Sequence, residues 1–263
     1  MRIMQLGNSA ARPFKNGFNV SYLADLTIWT TTPQYLLMET PPSIMNQLAQ
    51  ADIDLSFIKW VYLSHQHGDH TLGLPMILVS EYARRSTKKW NVILQESMKQ
   101  KIIELVLIAY PELEDYLEKQ VAFHTIPDGK PFSLRITPEH TISTVYGTHG
   151  VPSTAIRVDG NNKSLVYSGD TGVSDAIAEL AKKTDILIHE AGAGTVLPDQ
   201  KLSPNHTCAV EAGKIAHQAA VKKLWLTHLD NNHHDFINRC IQLAANQCSM
   251  PVATEQDFVW ITI

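Results

Sequence analysis

Six consecutive residues, His65-Gln66-His67-Gly68-Asp69-His70, constrain the fold of this chain more than any other feature. They follow a short apolar run, Trp60-Val61-Tyr62-Leu63, whose polar flanks predict a buried strand. In a tight loop that leaves a strand, four such side chains can converge on one point, where imidazole and carboxylate groups bind metals. A lone histidine would be read as a chance member of a polar loop. Four metal-binding side chains directly after a strand predict a metal site at the strand's end.

The rest of the chain reads as strands alternating with helices. We find no internal repeat, low-complexity tract or linker, so residues 1–263 are predicted to form one domain. Strands on both sides of helical blocks predict two sheets packed face to face with helices outside, an α/β sandwich. Predicted strands cover residues 1–6, 34–38, 60–63, 92–94, 164–167, 186–188, 224–226 and a segment near Val259. Predicted helices cover residues 43–51, 74–85, 97–109, 112–120, 175–183, 208–220 and 236–245.

Composition excludes some classes of protein. The formal net charge of −4 argues against a protein that coats nucleic acid, because phosphate binding needs a surplus of Lys and Arg. The start of the chain predicts a strand rather than a secretory signal, and no apolar run is long enough to span a bilayer. The three cysteines are unpatterned and fit a reducing cytosol, so a cytoplasmic protein is predicted.

The six-residue motif resembles the signature of the metallo-β-lactamase superfamily. The resemblance runs along nearly the whole chain, because residues similar to the family's later ligands follow in the family's order: His149, Asp170 and His228. Each lies after a segment that we predict as a strand, or within a region of strands and turns. The resemblance implies a four-layer αββα sandwich of two mixed β-sheets flanked by helices, with the metal site at one edge of the sheets.

The resemblance also implies a specific set of ligands for two divalent metal ions. His65, His67 and His149 would hold one ion. The other ion would be held by Asp69, His70 and His228, with Asp170 shared between the two. Two adjacent metals can activate one water molecule for hydrolysis, and Asp69 could also orient that water. Zinc is the first choice, but nitrogen and oxygen ligands suit manganese or iron as well.

A second motif narrows the branch of the superfamily. His189-Glu190-Ala191-Gly192 follows a predicted strand, and Asn205-His206-Thr207 begins a predicted helix. These two segments resemble the corresponding motifs of ribonuclease Z and its phosphodiesterase relatives. The resemblance implies that Glu190 orients His206, and that His206 stabilises the reacting phosphate or protonates the leaving oxygen. The simpler alternative is a helix-start histidine and a surface glutamate. His189 could equally be a buried, hydrogen-bonded support for the site.

The sequence departs from ribonuclease Z in two places. That enzyme usually carries a long basic arm that grips tRNA, yet only about twenty residues separate His149 from Asp170, enough for a strand and the Gly160-Asn161-Asn162 turn. This argues against specific tRNA processing. The family's usual aspartate-then-glycine turn after its second strand is altered here to Glu39-Thr40-Pro41-Pro42.

We therefore predict a dinuclear metal phosphodiesterase that acts on a small phosphodiester, such as a cyclic or modified nucleotide. A lactonase, thioesterase or arylsulfatase of the same fold is the first alternative, and a non-catalytic metal-binding module is the second. Dimers are common among the relatives, so a homodimer is left open. His233 and His234 could touch substrate, although two solvated histidines are the simpler explanation, and Trp29 and Tyr35 could line a pocket or pack.

Overall fold

A computed structural model describes residues 1–13, 17–27, 32–231 and 233–263 of the chain. Trp29 lies outside these residues. Tyr35 is buried and packs against Trp260, with 5.4 Å between ring centroids, so it is a packing residue.

Within the described residues the chain forms strands and helices that alternate along most of its length. The strands are β1 (Arg2–Gly7), β2 (Ser21–Asp25), β3 (Tyr35–Met38), β4 (Ile58–Tyr62), β5 (Trp90–Gln95), β6 (Val121–Ile126), β7 (Phe132–Arg135), β8 (His140–Tyr146), β9 (Thr154–Gly160), β10 (Lys163–Tyr167), β11 (Ile186–Glu190), β12 (Leu224–Thr227), β13 (Val252–Ala253) and β14 (Trp260–Thr262). The helices are α1 (Ile44–Gln50), α2 (Gly68–Thr71), α3 (Leu74–Ala83), α4 (Glu96–Ala109), α5 (Glu114–Gln120), α6 (Asp175–Leu180), α7 (Ala209–Ala219) and α8 (His234–Ala245).

The strands form two mixed sheets. In the described part of the chain, the first sheet has the order β14-β1-β2-β3-β4-β5-β6 and the second has the order β13-β12-β11-β10-β9-β8-β7. Strands β3 to β6 run parallel in the first sheet, as do β10 to β13 in the second. The remaining neighbours are antiparallel.

Three clusters of buried side chains hold four layers together. Residues from the facing sides of both sheets, among them Tyr62 and Trp225, form the middle cluster. Helices α1, α3, α4 and α5 cover the outer side of the first sheet. The outer side of the second sheet is covered by α6, α7 and α8, which supply mostly alanines. These small side chains let α7 lie close to its neighbours. The four layers confirm the predicted αββα sandwich.

Backbone and side-chain hydrogen bonds join the two sheets where several parallel strands end. Thr154 donates its N–H to the carbonyl of Ser64 at 3.0 Å, and the Tyr62 hydroxyl donates to the carbonyl of Thr154 at 2.7 Å. Nearby, Leu229 donates to the carbonyl of Asn8 at 2.9 Å. The loop after β4 therefore lies beside the start of β9, and the loop after β12 lies beside the end of β1. Gly169, in the loop after β10, packs closely against Ser64 and Thr154, so distant parts of the sequence meet at one edge.

Several boundaries differ from the sequence prediction. Strand β2 was not predicted, because all five of its residues are buried and the polar–apolar alternation of a half-buried strand is absent. Helix α6 ends at Leu180 rather than at residue 183, and the turn that follows it closes at Lys183, whose φ of 56° is left-handed. That residues 1–263 form one domain stays a prediction.

Candidate active site

The six-residue motif folds as a tight loop followed by one turn of helix. After β4 the chain bends at His65, which is fully buried, and at Gln66, and His67 then has extended backbone angles just before α2. Asp69 and His70 lie within α2, so their side chains turn back toward the end of the strand. This change from strand to helix lets all four side chains face the same point, as the sequence predicted.

One group of donor atoms forms around His65. Its Nε2 lies 3.0 Å from Nδ1 of His67 and 3.7 Å from Oδ2 of Asp170. Nε2 of His149 lies 3.3 Å from the same Nδ1 of His67. These four residues, contributed by three loops, form a cluster with the spacing of a metal site.

A second group forms around His70, which is also fully buried. Its Nε2 lies 3.4 Å from Oδ2 of Asp69 and 3.5 Å from Oδ1 of Asp170. Nε2 of His228 lies 3.6 Å from that Asp69 oxygen and 3.2 Å from Oδ2 of Asp170. The backbone of His228 has a φ of 54°, a strained value for a residue other than glycine that turns its ring toward the cluster. Asp170 contacts both groups.

The donor atoms fit metal ions. Ligands of a four-coordinate metal at about 2.0–2.2 Å lie about 3.3–3.6 Å from one another, close to the spacings found here. In the described part of the chain, Nε2 of His70, Nε2 of His228 and Oδ1 of Asp170 are buried without a hydrogen-bond partner. Buried polar atoms without partners are costly, and a metal ion would satisfy them. A set of imidazole and carboxylate ligands suits zinc, manganese or iron.

The protonation states of His65, Asp69 and Asp170 agree with this fit. Burial lowers the pKa of His65 well below its usual value, so this imidazole is neutral. Burial opposes ionisation of Asp170, but the charges of His228 and His70 hold the pKa of its carboxyl well below its usual range. Burial also opposes ionisation of Asp69, but its close contacts with the same two histidines hold the pKa of this carboxyl well below its usual range. Burial lowers the pKa of His70 and His228, but the carboxylates beside them outweigh this effect and raise it, so a metal ion bound at these two imidazoles would displace their protons.

Two of the histidines are oriented by neighbours that the sequence did not reveal. His149 donates from Nδ1 to the carbonyl of Asn205 at 3.0 Å, which leaves Nε2 facing the cluster. The Ser64 hydroxyl lies 2.9 Å from Nδ1 of His65. Such partners fix the tautomer and the orientation of a metal-binding imidazole. A carbonyl partner leaves no trace in the residue types, so sequence reasoning could not have found Asn205.

Glu190 and His206 form a pair beside the cluster. Glu190 is fully buried at the end of β11, and His206 donates from Nδ1 to its Oε1 at 2.9 Å. The carboxylate also accepts the backbone N–H groups of Thr171, Gly192 and Thr207, at 2.8, 2.7 and 3.2 Å. It is therefore not the surface charge of the simpler alternative.

The pair fixes the orientation and charge of His206. Burial lowers the pKa of His206, but the hydrogen bond and charge of Glu190 outweigh this effect and raise it overall. Its ring lies 5.0 Å from the ring of His149 and is stacked on that of His228 at 5.4 Å. With Nδ1 held by Glu190, its Nε2 is left for a reacting group.

Gly192 keeps this part of the site closely packed. A Cβ atom at this position would lie 3.1 Å from Nδ1 of His206, 3.1 Å from Nδ1 of His228 and 3.3 Å from Oε2 of Glu190. Any side chain would therefore press on two imidazoles and the carboxylate. Beside it lies a cavity of about 280 Å³ with Val196, Leu202, His206 and Asp230 among its lining residues.

The remaining histidines lie outside the cluster. His189 is fully buried and donates from Nδ1 to the carbonyl of Glu190 at 2.8 Å, so it supports the strand behind the site. His233 and His234 are exposed where α8 begins, as two solvated histidines would be.

Comparison with known proteins places the chain in a family. A family model described as "Anti-Pycsar protein Apyc1" matches residues 1–248. The chain belongs to this family. It is also similar to ribonuclease BN of Erwinia tasmaniensis, with 26% identity over 282 residues, 89% of this chain and 91% of that protein.

Solved structures agree on the fold of this Apyc1-family chain. The metallo-β-lactamase fold protein YhfI from Bacillus subtilis superposes with a TM-score of 0.78 at 20% identity, covering 99% of both chains. The short form of human tRNase Z gives a TM-score of 0.78 at 19% identity, covering 100% of this chain and 99% of that chain.

The predicted superfamily and its ribonuclease Z and phosphodiesterase branch are confirmed, and the chain is a metal-dependent hydrolase of the phosphodiesterase type. No helix among the described residues is long and apolar enough to cross a membrane.

Proposed function

We propose that this chain hydrolyses a small phosphodiester, such as a cyclic nucleotide, at two divalent metal ions. The contact between His206 and Glu190 carries the proposal, because it places an oriented imidazole beside the ligand cluster. The family is named for an anti-Pycsar role, and we propose the same role for this chain.

The ligand set of the proposal follows the two groups of donor atoms. Zinc is the proposed metal at both positions, with Asp170 shared between them. Two such ions would lower the pKa of a water molecule and stabilise negative charge on the phosphate oxygens. The proposed ligands are His65, His67, Asp69, His70, His149, Asp170 and His228.

Two side chains of the protein act on the proton transfers. The attacking water, acidified as above, would lose one proton to solvent, and Asp69 accepts a hydrogen bond from the remaining hydroxide and directs it at phosphorus. As the bond between phosphorus and the leaving oxygen breaks, His206 gives the proton on Nε2 to that oxygen. Glu190 holds Nδ1 of His206 and favours the protonated imidazole, so the acid is charged and oriented before the reaction begins.

A tight hairpin supports a small substrate. Strands β9 and β10 are joined by Asn161 and Asn162, whose φ values of 54° and 57° are typical of a two-residue type I′ turn. This hairpin lies between His149 and Asp170, where the resemblance to ribonuclease Z predicts an arm that grips tRNA. The stretch thus contains no extension that could hold a large RNA.

The cavity beside His206 also supports a small substrate. Its volume of about 280 Å³ is just below the range for sites of drug-sized ligands, about 300–1,000 Å³. Val196 and Leu202 give it apolar walls, which suit the uncharged part of a nucleotide. Lys201 also lines the cavity, and its ammonium donates hydrogen bonds to the carboxylate of Glu211 at 2.6 Å and to the carbonyl of His206 at 3.0 Å.

A substrate panel tests the proposal. Purified protein with measured metal content is given bis-p-nitrophenyl phosphate, cyclic mononucleotides, precursor tRNA, lactones and thioesters. We expect cleavage of the first two, and little cleavage of precursor tRNA. If the phosphodiesters stay intact while lactones or thioesters are opened, the proposal is wrong and the ester-hydrolase alternative replaces it. The cytoplasmic location and the homodimer stay predictions.

A further inference from the structure

A buried glutamate outside the predicted ligand set faces the metal cluster. Glu39 follows β3 and is fully buried. Its N–H donates to the carbonyl of Tyr62 at 2.9 Å, and its own carbonyl accepts from the Ser21 hydroxyl at 3.0 Å. Its φ of 68° lies in the left-handed region, which is uncommon for a residue with a side chain and is often found at functional sites.

The carboxylate of Glu39 connects the loop before the motif to one of the predicted ligands. It accepts the N–H of Ser64, with 3.3 Å to Oε1 and 3.2 Å to Oε2. Oε1 also lies 3.4 Å from Nδ1 of His70, with both side chains fully buried. The turn that departs from the family's aspartate therefore still places a carboxylate here, on a side chain one methylene longer.

The partner of His70 differs from those of the other oriented ligands. Nδ1 of His65 meets a hydroxyl and Nδ1 of His149 meets a carbonyl, both uncharged. Within the described ranges, Nδ1 of His70 has no hydrogen bond and instead lies 3.4 Å from the charged carboxylate of Glu39. A carboxylate partner makes an imidazole a stronger metal ligand than a neutral partner does, because it stabilises positive charge on the ring.

The negative charges near His70 also favour tighter metal binding at its donor group. The donor group around His70 includes the carboxylates of Asp69 and Asp170, with Glu39 directly behind the imidazole. The group around His65 includes only Asp170 among the residues of its cluster. A divalent cation is therefore attracted more strongly to the group around His70.

We propose that Glu39 is a positioning residue that holds His70 with Nε2 toward Asp69 and Asp170, and that it makes this metal position the tighter of the two. The proposal rests on the two-metal site of the proposed function but not on any substrate. It predicts that the two ions leave the protein in separate steps as a chelator is added.

Chelator titration of the metal-loaded protein tests this inference, with Glu39→Gln as the main variant. Glutamine keeps an oxygen that can accept from Ser64 but removes the charge behind His70. We expect the tighter step to weaken by about 10- to 100-fold, the usual effect of losing such a partner, while the weaker step stays unchanged. Glu39→Asp keeps the charge on a shorter side chain and should restore part of the affinity.

Asp185→Asn is the matched control. Asp185 is also a buried carboxylate that accepts a backbone N–H, from Ser164 at 2.8 Å, but it lies at the opposite end of β11 from Glu190. Its replacement should leave both steps unchanged.

Three outcomes overturn the inference: a single step in the unaltered protein, equal weakening of both steps in Glu39→Gln, or no change in either. Should Glu39→Gln fail to fold, Glu39→Asp decides, because unaltered affinity in that variant together with a folded structure also overturns it. Because the readout is metal affinity, a chain that fails to cleave any phosphodiester would refute the proposed function and leave this inference standing.

Discussion

Replacing His206 with alanine tests the chemistry of the site most directly. The imidazole is about one third exposed, whereas the carboxylate of Glu190 behind it is fully buried. After the replacement, three backbone N–H groups still donate to that carboxylate, so it does not become an unpaired buried charge. We therefore expect the variant to fold and to keep its metal content.

The size of the effect follows from the proposed role. Positioned acid–base assistance is worth about 10²- to 10⁴-fold in rate, or about 2.7–5.4 kcal/mol in activation free energy. This full loss in kcat/KM is expected for a cyclic nucleotide, whose leaving alkoxide is strongly basic and needs a proton. With bis-p-nitrophenyl phosphate the loss should be much smaller, because p-nitrophenolate leaves readily without one.

The assay is therefore a comparison of kcat/KM for both substrates in the unaltered protein and in His206→Ala. His217→Ala is the matched control, since this histidine lies exposed on α7 away from the cluster. An equal loss with both substrates at unchanged metal content would refute proton donation and point to phosphate binding. A loss of metal would instead make His206 a ligand, which its spacing to Asp170 and His228 allows.

Three further predictions concern the same site. Glu190→Gln should move the alkaline limb of the pH–rate profile to lower pH, because without the charge that raises the pKa of His206 the imidazole loses its proton earlier; an unmoved limb would contradict this. Gly192→Ala should reduce kcat strongly with little change in the unfolding temperature. Gly213→Ala should lower the unfolding temperature with little change in kcat, because its Cβ would meet the backbone of Ala244 on α8. If both variants change both quantities equally, this packing argument is wrong. Chelation should abolish activity and lower the unfolding temperature, and added zinc should restore both, since metal binds only the folded site; activity that persists without metal would refute metal dependence.

The gathering of the proposed ligands was predictable from the sequence because of how strands end. His65, Asp170 and His228 each follow a strand that lies within a parallel part of its sheet. Parallel neighbours bring their carboxyl ends to the same edge, so polar residues placed after such strands converge. The six-residue motif alone predicted a metal site at the end of β4, and the resemblance to the metallo-β-lactamase superfamily implied the later ligands.

Other features depend on packing that residue types do not encode. Glu39 was noted only as a departure from a family pattern, because its role depends on a left-handed backbone and on the distance to His70. The contact between His149 and the carbonyl of Asn205 uses no side chain of the second residue. Strand β2 is buried on both faces, so its sequence lacks the period of two that marks a half-exposed strand.

The hydrogen bonds that join the two sheets have a consequence for how the protein matures. Residues 65–70 belong to the first sheet's half of the chain, and residues 149–228 to the second's, so neither half carries a complete set of donors. A chain cut in the turn at residues 127–131 would yield two fragments, each with an open, incomplete coordination sphere. Tight metal binding would then require that the two fragments have already associated. The metal ion therefore binds after the two halves of the chain have assembled and does not start their assembly.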